Sequence, residues 1–206
     1  MMNNPVHKVT CFITRPGKNG RELLLFNHPE VGIQITAGTV EPGEDTDSAA
    51  RREAAEESGL EGLILLGKLG EMDDPPPPGF VIVVKPTKVY SRPDTSGYDW
   101  AHLLTGLPVE ALMHEAGFTK VRFEETHNNN DPEDISYSII GWVPDEALTS
   151  QRIRHFYLFE APNATPDHWS VPVDYTTYEL FWASINDLPP IIPPQDGWVK
   201  WLAGVA

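Results

Sequence analysis

Apolar and polar residues alternate over several short segments, which predicts a chain built mainly from β-strands. Alternation of this kind places successive side chains on opposite faces of a sheet. In chain order, the predicted strands are Val6–Arg15, Glu22–His28, Val31–Gly38, Leu63–Leu69, Phe80–Val84, Phe118–Glu124, Ile135–Val143, Arg154–Glu160 and Tyr178–Ile185. The polar segment His127–Glu133 is predicted as a turn.

Helical spacing replaces the alternation in four places. The longest predicted helix is Asp47–Glu57, with Thr46 as its N-cap and Gly59 as the residue that ends it. The other predicted helices are Pro108–Gly117, Asp145–Leu148 and a closing amphipathic helix, Asp196–Val205. Strands before and after a central helix, with a helix at the end, indicate an α/β protein with a mixed sheet sandwiched between helices.

Composition narrows the class of protein. The 206 residues are enough for one domain of ordinary size with an elaboration, and 40% of them are hydrophobic. The single cysteine, Cys11, excludes an intramolecular disulfide and fits a reducing compartment. Because no segment has the pattern of a signal peptide or a membrane span, we expect a cytoplasmic protein without a membrane partner.

The formal charge of −15 changes the expected partners. A surface this acidic repels a long polyanion, which argues against binding of DNA or RNA. A small anionic molecule remains compatible with it, provided that metal ions or a few arginines neutralise the anion locally. Net negative charge also keeps proteins soluble, so the charge by itself assigns no function.

One segment, Gly38–Leu60, carries glycines, glutamates and an arginine at fixed spacing. Five residues separate its first glycine from Glu44, and seven more precede the run REAAEESGL at residues 52–60. Seven fixed residues at about 7% usage each, tried over roughly two hundred start points in the chain, give chance odds on the order of 10⁻⁶ for such a match. The segment resembles the Nudix box at every fixed position. The one soft departure is Ala54, where the family usually has a larger aliphatic residue, and that position supplies no ligand.

The glutamates of this segment also favour a metal site on physical grounds. At about 100° per residue, Glu53, Glu56 and Glu57 fall within one sector of the predicted helix, where their charges repel one another. A hard divalent cation such as Mg²⁺, which prefers oxygen ligands, relieves that repulsion. Ala50 and Ala54 form an adjacent stripe of small residues that allows the helix to pack closely on the sheet.

The resemblance implies roles for individual residues of the box. Metal ligands are expected from Glu53, Glu56, Glu57 and the backbone carbonyl of Gly38. Catalytic roles are expected for Glu53, Glu57, Arg52 and Glu44, and Arg52 is expected to orient a glutamate rather than bind substrate. The implied cofactor is Mg²⁺, with Mn²⁺ as a substitute.

The resemblance further implies a hydrolase that cleaves a pyrophosphate bond by attack of a metal-activated water. Its substrate would be a nucleoside diphosphate linked to another group, or a nucleoside triphosphate. The alternative is a Nudix module that senses a nucleotide without turning it over. A purely structural acidic domain is a third interpretation, but it leaves the spacing of the box unexplained.

Five residues outside the box are candidates for substrate binding. They are Arg15, Arg154, Glu160, Asp167 and His168. The arginines lie at ends of apolar strands and could hold phosphate, although surface ion pairs are the commoner fate of such residues. The other three lie in or beside a predicted loop, where they could equally be plain loop residues.

The predicted organisation is a single Nudix domain, a Nudix-type α/β/α sandwich over residues 1–206, with an insertion within about residues 72–150. That middle segment is longer than the core of the family requires. It could shape the substrate pocket or form a contact between two copies in a homodimer, and the sequence does not choose between these.

Overall fold

The structure is a computed structural model that describes residues 4–18, 20–126, 135–162, 164–173 and 176–205. The chain divides into two compact units. The first, which we call the box unit, comprises Lys8–Met72 and Arg154–Ala206; the second, the middle unit, comprises Met1–His7 and Asp73–Ile153. The prediction of one Nudix domain with an insertion at about 72–150 stays a prediction.

Strands dominate the described residues. They are β1 (Val6–Gly17), β2 (Gly20–His28), β3 (Gly32–Gln34), β4 (Ala37–Thr39), β5 (Ile64–Asp73), β6 (Phe80–Val83), β7 (Thr87–Tyr90), β8 (Asp99–Leu103), β9 (Pro108–Glu115), β10 (Phe118–Thr126), β11 (Ile135–Pro144), β12 (Leu148–Thr149), β13 (Arg152–Glu160), β14 (His168–Val173) and β15 (Thr176–Ser184). The α-helix among these residues is α1 (Thr46–Ser58), and 3₁₀ helices span Asp145–Ala147 and Gln195–Leu202. None of the described helices is long and apolar enough to cross a membrane.

The box unit is built on an eight-stranded sheet. Its two middle strands, β1 and β2, pair with each other over only part of their length. Its main path has the order β14-β15-β2-β1-β13-β5. The two strands pair antiparallel from Thr14↔Leu23 to Gly17↔Gly20. Further along, β3 pairs with β2 and β4 pairs with β1, so the short strands fill the gap between the long ones.

The sheet is mixed, as predicted. The Thr14 main-chain carbonyl accepts a hydrogen bond from the Ala161 N–H at 2.8 Å, and Arg154 donates to the Thr10 hydroxyl at 3.1 Å. Residue numbers therefore increase in the same direction along β1 and β13, which is parallel pairing. In contrast, β1 and β2 pair antiparallel.

Each face of this sheet has its own hydrophobic cluster. On one face, Val9 and Cys11 of β1 pack with the small residues of α1, whereas on the other Phe12 packs with Trp198 and Leu202 of the second 3₁₀ helix. Alternating residues of one strand thus serve two layers. The predicted sandwich is confirmed, with a 3₁₀ helix in place of the closing α-helix.

The middle unit has a seven-stranded sheet of order β12-β6-β9-β10-β11-β7-β8. Its own core consists mainly of buried valines. The buried members are Val83, Val89, Leu103, Val109, Val121, Val143, Ala147 and Leu148.

The prediction of a helix at Pro108–Gly117 is wrong, because this segment is strand β9 and its turn. It pairs with β6 and β10, and Val109 is fully buried in the resulting sheet. Ala116 and Gly117 have φ of 53° and 81°, which makes them the two-residue turn of a β-hairpin. Pairing on both sides outweighed the helical spacing of a few apolar residues.

Other differences are smaller. The predicted strand Val31–Gly38 is divided into β3 and β4, and the strands β7, β8, β12 and β14 were not predicted. The predicted turn His127–Glu133 lies outside the described residues.

Candidate active site

Helix α1 is capped at both ends by the residues around it. Asp45 is the N-cap, and its side chain accepts a hydrogen bond from the Ser48 N–H at 2.8 Å. Thr46, predicted as the N-cap, is instead the first helical residue. Gly59 ends the helix with a left-handed φ of 65°, and its N–H donates to the Ala55 carbonyl.

The small residues of α1 set how closely the helix approaches the sheet. Ala49, Ala50 and Ala54 are all fully buried. Cys11 lies beneath them, and its thiol donates to the Ala50 carbonyl at 3.3 Å. Burial, followed by the charges of Glu57 and Glu53, raises the pKa of this thiol well above its usual value. The buried alanines therefore hold the apolar side of α1 against the sheet. The glutamates of the helix lie where α1 meets β4.

The turn before the helix is closed by hydrogen bonds between Glu41 and Glu44. Gly43 has a φ of 85°, the left-handed region that favours glycine. The Glu44 N–H donates to the Glu41 carbonyl at 3.0 Å, and the Glu41 N–H donates to the Glu44 carboxylate at 3.1 Å. This pair of bonds holds the Glu44 carboxylate towards the helix.

Arg52 makes five hydrogen bonds, as many as its guanidinium has N–H groups. Two go to Glu44 at 3.1 and 3.0 Å, and one each goes to Glu53 at 2.9 Å and Glu56 at 3.2 Å. The fifth goes to the Thr39 carbonyl at 3.0 Å. Hydrogen bonds from Arg52 lower the pKa of Glu44. All N–H groups of Arg52 are therefore engaged by the protein, and its orienting role stays a prediction.

Glu53 lies directly against Gly38. A Cβ atom added at Gly38 would come 1.8 Å from the Glu53 carboxyl carbon, so only glycine fits there. The Glu53 side chain is 14% exposed. Burial raises the pKa of this carboxyl, although its contacts with Arg52 act in the opposite direction.

Glu57 lies deeper in the structure and is held by the backbone. Its carboxylate accepts a hydrogen bond from the Ala37 N–H at 2.9 Å. Burial raises its pKa to about 8, and the negative charges of Glu53 and Glu56 add to that shift. The predicted catalytic and metal-binding residues Glu44, Arg52, Glu53, Glu56 and Glu57 are thus brought together at the edge of β4.

Comparison with known families assigns this segment. Residues 5–103 match the family model of the NUDIX domain, and the whole box lies inside that range. The chain contains a NUDIX domain. Every fixed position of the box is present within that domain.

Solved structures with similar folds include Nudix proteins, but the likeness is distant. The MutT protein from Methanosarcina mazei Go1 is 13% identical, with 99% of this chain and 94% of that chain covered and a TM-score of 0.45. A protein from Listeria monocytogenes strain 4b F2365, provisionally named a NUDIX hydrolase, is 13% identical, with 95% and 90% covered and a TM-score of 0.41. The assignment does not depend on these likenesses. No curated protein sequence is significantly similar to the chain.

Nudix domains generally use divalent metal ions, and the donors of this one suit such an ion. Among the described residues, no group of three or more His, Cys, Asp or Glu side chains is already arranged to hold a metal. Arg52 occupies the carboxylates of Glu44, Glu53 and Glu56 instead. Three carboxylates share this one arginine, and the buried Glu57 beside them accepts a hydrogen bond from the Ala37 N–H. A hard cation with carboxylate ligands fits that surplus of negative charge.

Three of the five candidates outside the box come together in a second place in the box unit. Arg15, Asp167 and His168 line a cleft of about 530 Å³ that also includes Lys18 and Trp182. Arg15 is paired with Glu22 and Asp167, and it lies 4.5 Å over the Trp182 ring.

The other two candidates lie elsewhere in the box unit. Arg154 is 6% exposed and lies 4.0 Å over the ring of Trp198, so it packs as a structural residue. Glu160 is paired with Arg21 at 3.1 Å.

Some residues at the site were not predicted from the sequence. The Tyr157 hydroxyl lies 2.6 Å from the Thr46 hydroxyl and 2.7 Å from the Asp47 carboxylate, at the first turn of α1. Lys8 donates a hydrogen bond to the Thr39 hydroxyl beside Gly38. No local signal marks these contacts, because β13 and β1 are far from the box in sequence.

Proposed function

We propose that this chain hydrolyses a pyrophosphate bond in a small nucleotide, using Mg²⁺, with Mn²⁺ as a substitute. The substrate is a nucleoside diphosphate linked to another group or a nucleoside triphosphate. The products are a nucleoside monophosphate and a second phosphorylated fragment, or pyrophosphate in the case of a triphosphate. The observation that carries the proposal is the intact set of box carboxylates gathered around Arg52 at the edge of β4.

The proposed metal ligands are the carboxylates of Glu53, Glu56 and Glu57, with the backbone carbonyl of Gly38. When bound, the metal neutralises the diphosphate, polarises phosphorus and lowers the pKa of the attacking water. Glu53 is positioned by Gly38 and Arg52, and Glu57 by the Ala37 N–H.

The remaining steps belong to the side chains of the box. A nearby carboxylate accepts the proton of the attacking water. Arg52 bonds Glu44 on the turn and Glu53 on the helix, and it therefore holds the turn in position relative to the helix. Its role is positioning, since its N–H groups are engaged by the protein.

The alternative function is a Nudix module that binds a nucleotide without hydrolysing it. Such a sensor would be expected to lose one or more of the box carboxylates. All of them are present here, and the supporting contacts of Arg52 are complete, which favours the enzyme.

The proposal is tested by measuring phosphate-containing products over a panel of substrates with and without Mg²⁺. The panel covers ADP-ribose, dinucleoside polyphosphates, nucleotide sugars and nucleoside triphosphates, including deoxynucleotides. We expect metal-dependent turnover of at least one class. Binding of a panel member without turnover under any metal condition would favour the sensor.

A further inference from the structure

We propose that Lys8 is a phosphate-binding residue of the Nudix site, held in place by the hydroxyl of Thr39. This inference rests on the proposed function and adds a substrate contact that lies outside the box. It identifies the ligand as the diphosphate group of the nucleotide, rather than its base or sugar.

The backbone places Lys8 beside the metal-binding segment. Lys8 pairs with Thr39 in the ladder of β1 and β4, and the next pair is Val9↔Gly38. Val9 is buried on the α1 side, and a Cβ at Gly38 would point at Glu53 on that same side. Because side chains alternate along a strand, Lys8 and Thr39 face the other side of the sheet.

Thr39 connects this lysine to the box through two separate groups. Its hydroxyl accepts the hydrogen bond from Lys8, and its carbonyl accepts one from Arg52. The backbone of Thr39 also acts on Glu53, since it lowers the pKa of that carboxyl. The position of the Lys8 ammonium is therefore tied to the same residue that braces Arg52 and Glu53.

Arg52 is not available as a phosphate-binding cation. All five N–H groups of Arg52 are engaged by Glu44, Glu53, Glu56 and Thr39. The positive charge of Lys8 reaches the Glu57 carboxylate, where it opposes the burial that raises the pKa of that group. Lys8 thus brings a cation to the acidic cluster from the face opposite to α1.

The positive charge of Lys8 makes it possible to distinguish phosphate binding from a purely structural role. A cation beside a metal site repels the metal and attracts the phosphate, so removing it should affect the two ligands differently. A lysine that only ties β1 to β4 would, when removed, weaken metal and nucleotide binding together.

The experiment measures calorimetric binding of Mg²⁺ alone, and of α,β-methylene-ADP with saturating Mg²⁺, to four full-length proteins. These are the wild type, Lys8→Met, Lys8→Arg and the control Lys68→Met, which removes an exposed lysine paired with nearby Glu71 at 2.6 Å. For Lys8→Met we expect nucleotide affinity to fall by about 10-fold or more, from loss of a charge-assisted contact. Its Mg²⁺ affinity should be unchanged or tighter, Lys8→Arg should recover most of the nucleotide affinity, and Lys68→Met should match the wild type.

Two results would overturn the proposal. One is unchanged nucleotide affinity in Lys8→Met, and the other is a parallel loss of Mg²⁺ and nucleotide affinity. If the wild type binds neither Mg²⁺ nor the analogue, the proposed function fails with it. If the wild type hydrolyses a substrate of the panel while Lys8→Met keeps its affinity, only the role of Lys8 is wrong.

Discussion

Two arginines of the box unit each hold carboxylates, yet their surroundings differ in the balance of charge. Arg52 holds three glutamates, and the buried Glu57 beside them receives a backbone hydrogen bond. Arg15 pairs with Glu22 and Asp167, and Lys18 lines the same cleft.

The two places differ in how many cations accompany their carboxylates. In the cleft, Glu22 and Asp167 both pair with Arg15, and Lys18 adds a second cation nearby. In the box, Arg52 and Lys8 face four carboxylates, of which Glu53 and Glu57 are largely buried, so negative charges outnumber positive ones where burial makes charge costly. A surplus of carboxylates, rather than their mere presence, distinguishes the two places.

The largest expected effect comes from Glu57→Gln. This change keeps the shape of the side chain but removes a proposed carboxylate ligand of the metal, and we expect kcat to fall by at least about 100-fold. Steady-state kinetics on any panel substrate that the wild type hydrolyses will measure it. The matched control is Glu61→Gln, an exposed glutamate just after the box, which should leave kcat unchanged. Wild-type turnover in Glu57→Gln would argue against the box as the site.

A second large effect is expected from Gly38→Ala. The new Cβ would overlap the carboxyl group of Glu53 at 1.8 Å and push it from Arg52. Displacing a metal ligand typically lowers activity, here by at least about 10-fold. Gly197→Ala, which meets no atom within 4 Å, is the control for a glycine substitution. Equal activity in the two variants would show that the fit of Glu53 against Gly38 is unimportant.

The stability of the metal-free protein should also depend on pH through Glu57. Its folded pKa is raised from 4.5 to about 8, so the folded state binds the proton more tightly than the unfolded state. The stabilisation is fully present below about pH 4.5 and is lost as the pH rises towards 8. Denaturant unfolding in EDTA should show this decline, and it should be shallower in Glu57→Gln. The same slope in both proteins would assign the pH dependence to other groups.

The smallest effect is expected in the cleft. Asp167 is 79% exposed, and exposed ion pairs contribute little to stability. In Asp167→Asn we expect kcat/KM to change by less than about threefold and the melting temperature to shift only slightly. A much larger fall in kcat/KM would place the cleft in the active site and remove the contrast between Arg15 and Arg52.

The predictability of the site depended on how local each contact is. The box was recognisable because Gly38, Glu44, Arg52 and the glutamates lie within one segment, whose turn and helix bring them together without help from the rest of the chain. The contacts of Lys8 and Tyr157 were not predictable, because they arise only when β1 and β13 pair beside the box.

The fold shows the same division. The central helix follows from local caps, and the main strands of the box unit follow from alternation. Strand β9 was mistaken for a helix because its spacing of apolar residues is ambiguous, and only pairing with β6 and β10 decides its structure. The turn at Ala116 and Gly117 carried a weak local signal in its glycine.

Direct titration of Mg²⁺ into the metal-free protein tests the central claim that the surplus carboxylates of the box hold a divalent cation. We expect saturable binding to the wild type and to Glu61→Gln, with binding strongly weakened in Glu57→Gln. Equal Mg²⁺ affinity in all three proteins, or none in the wild type, would contradict it.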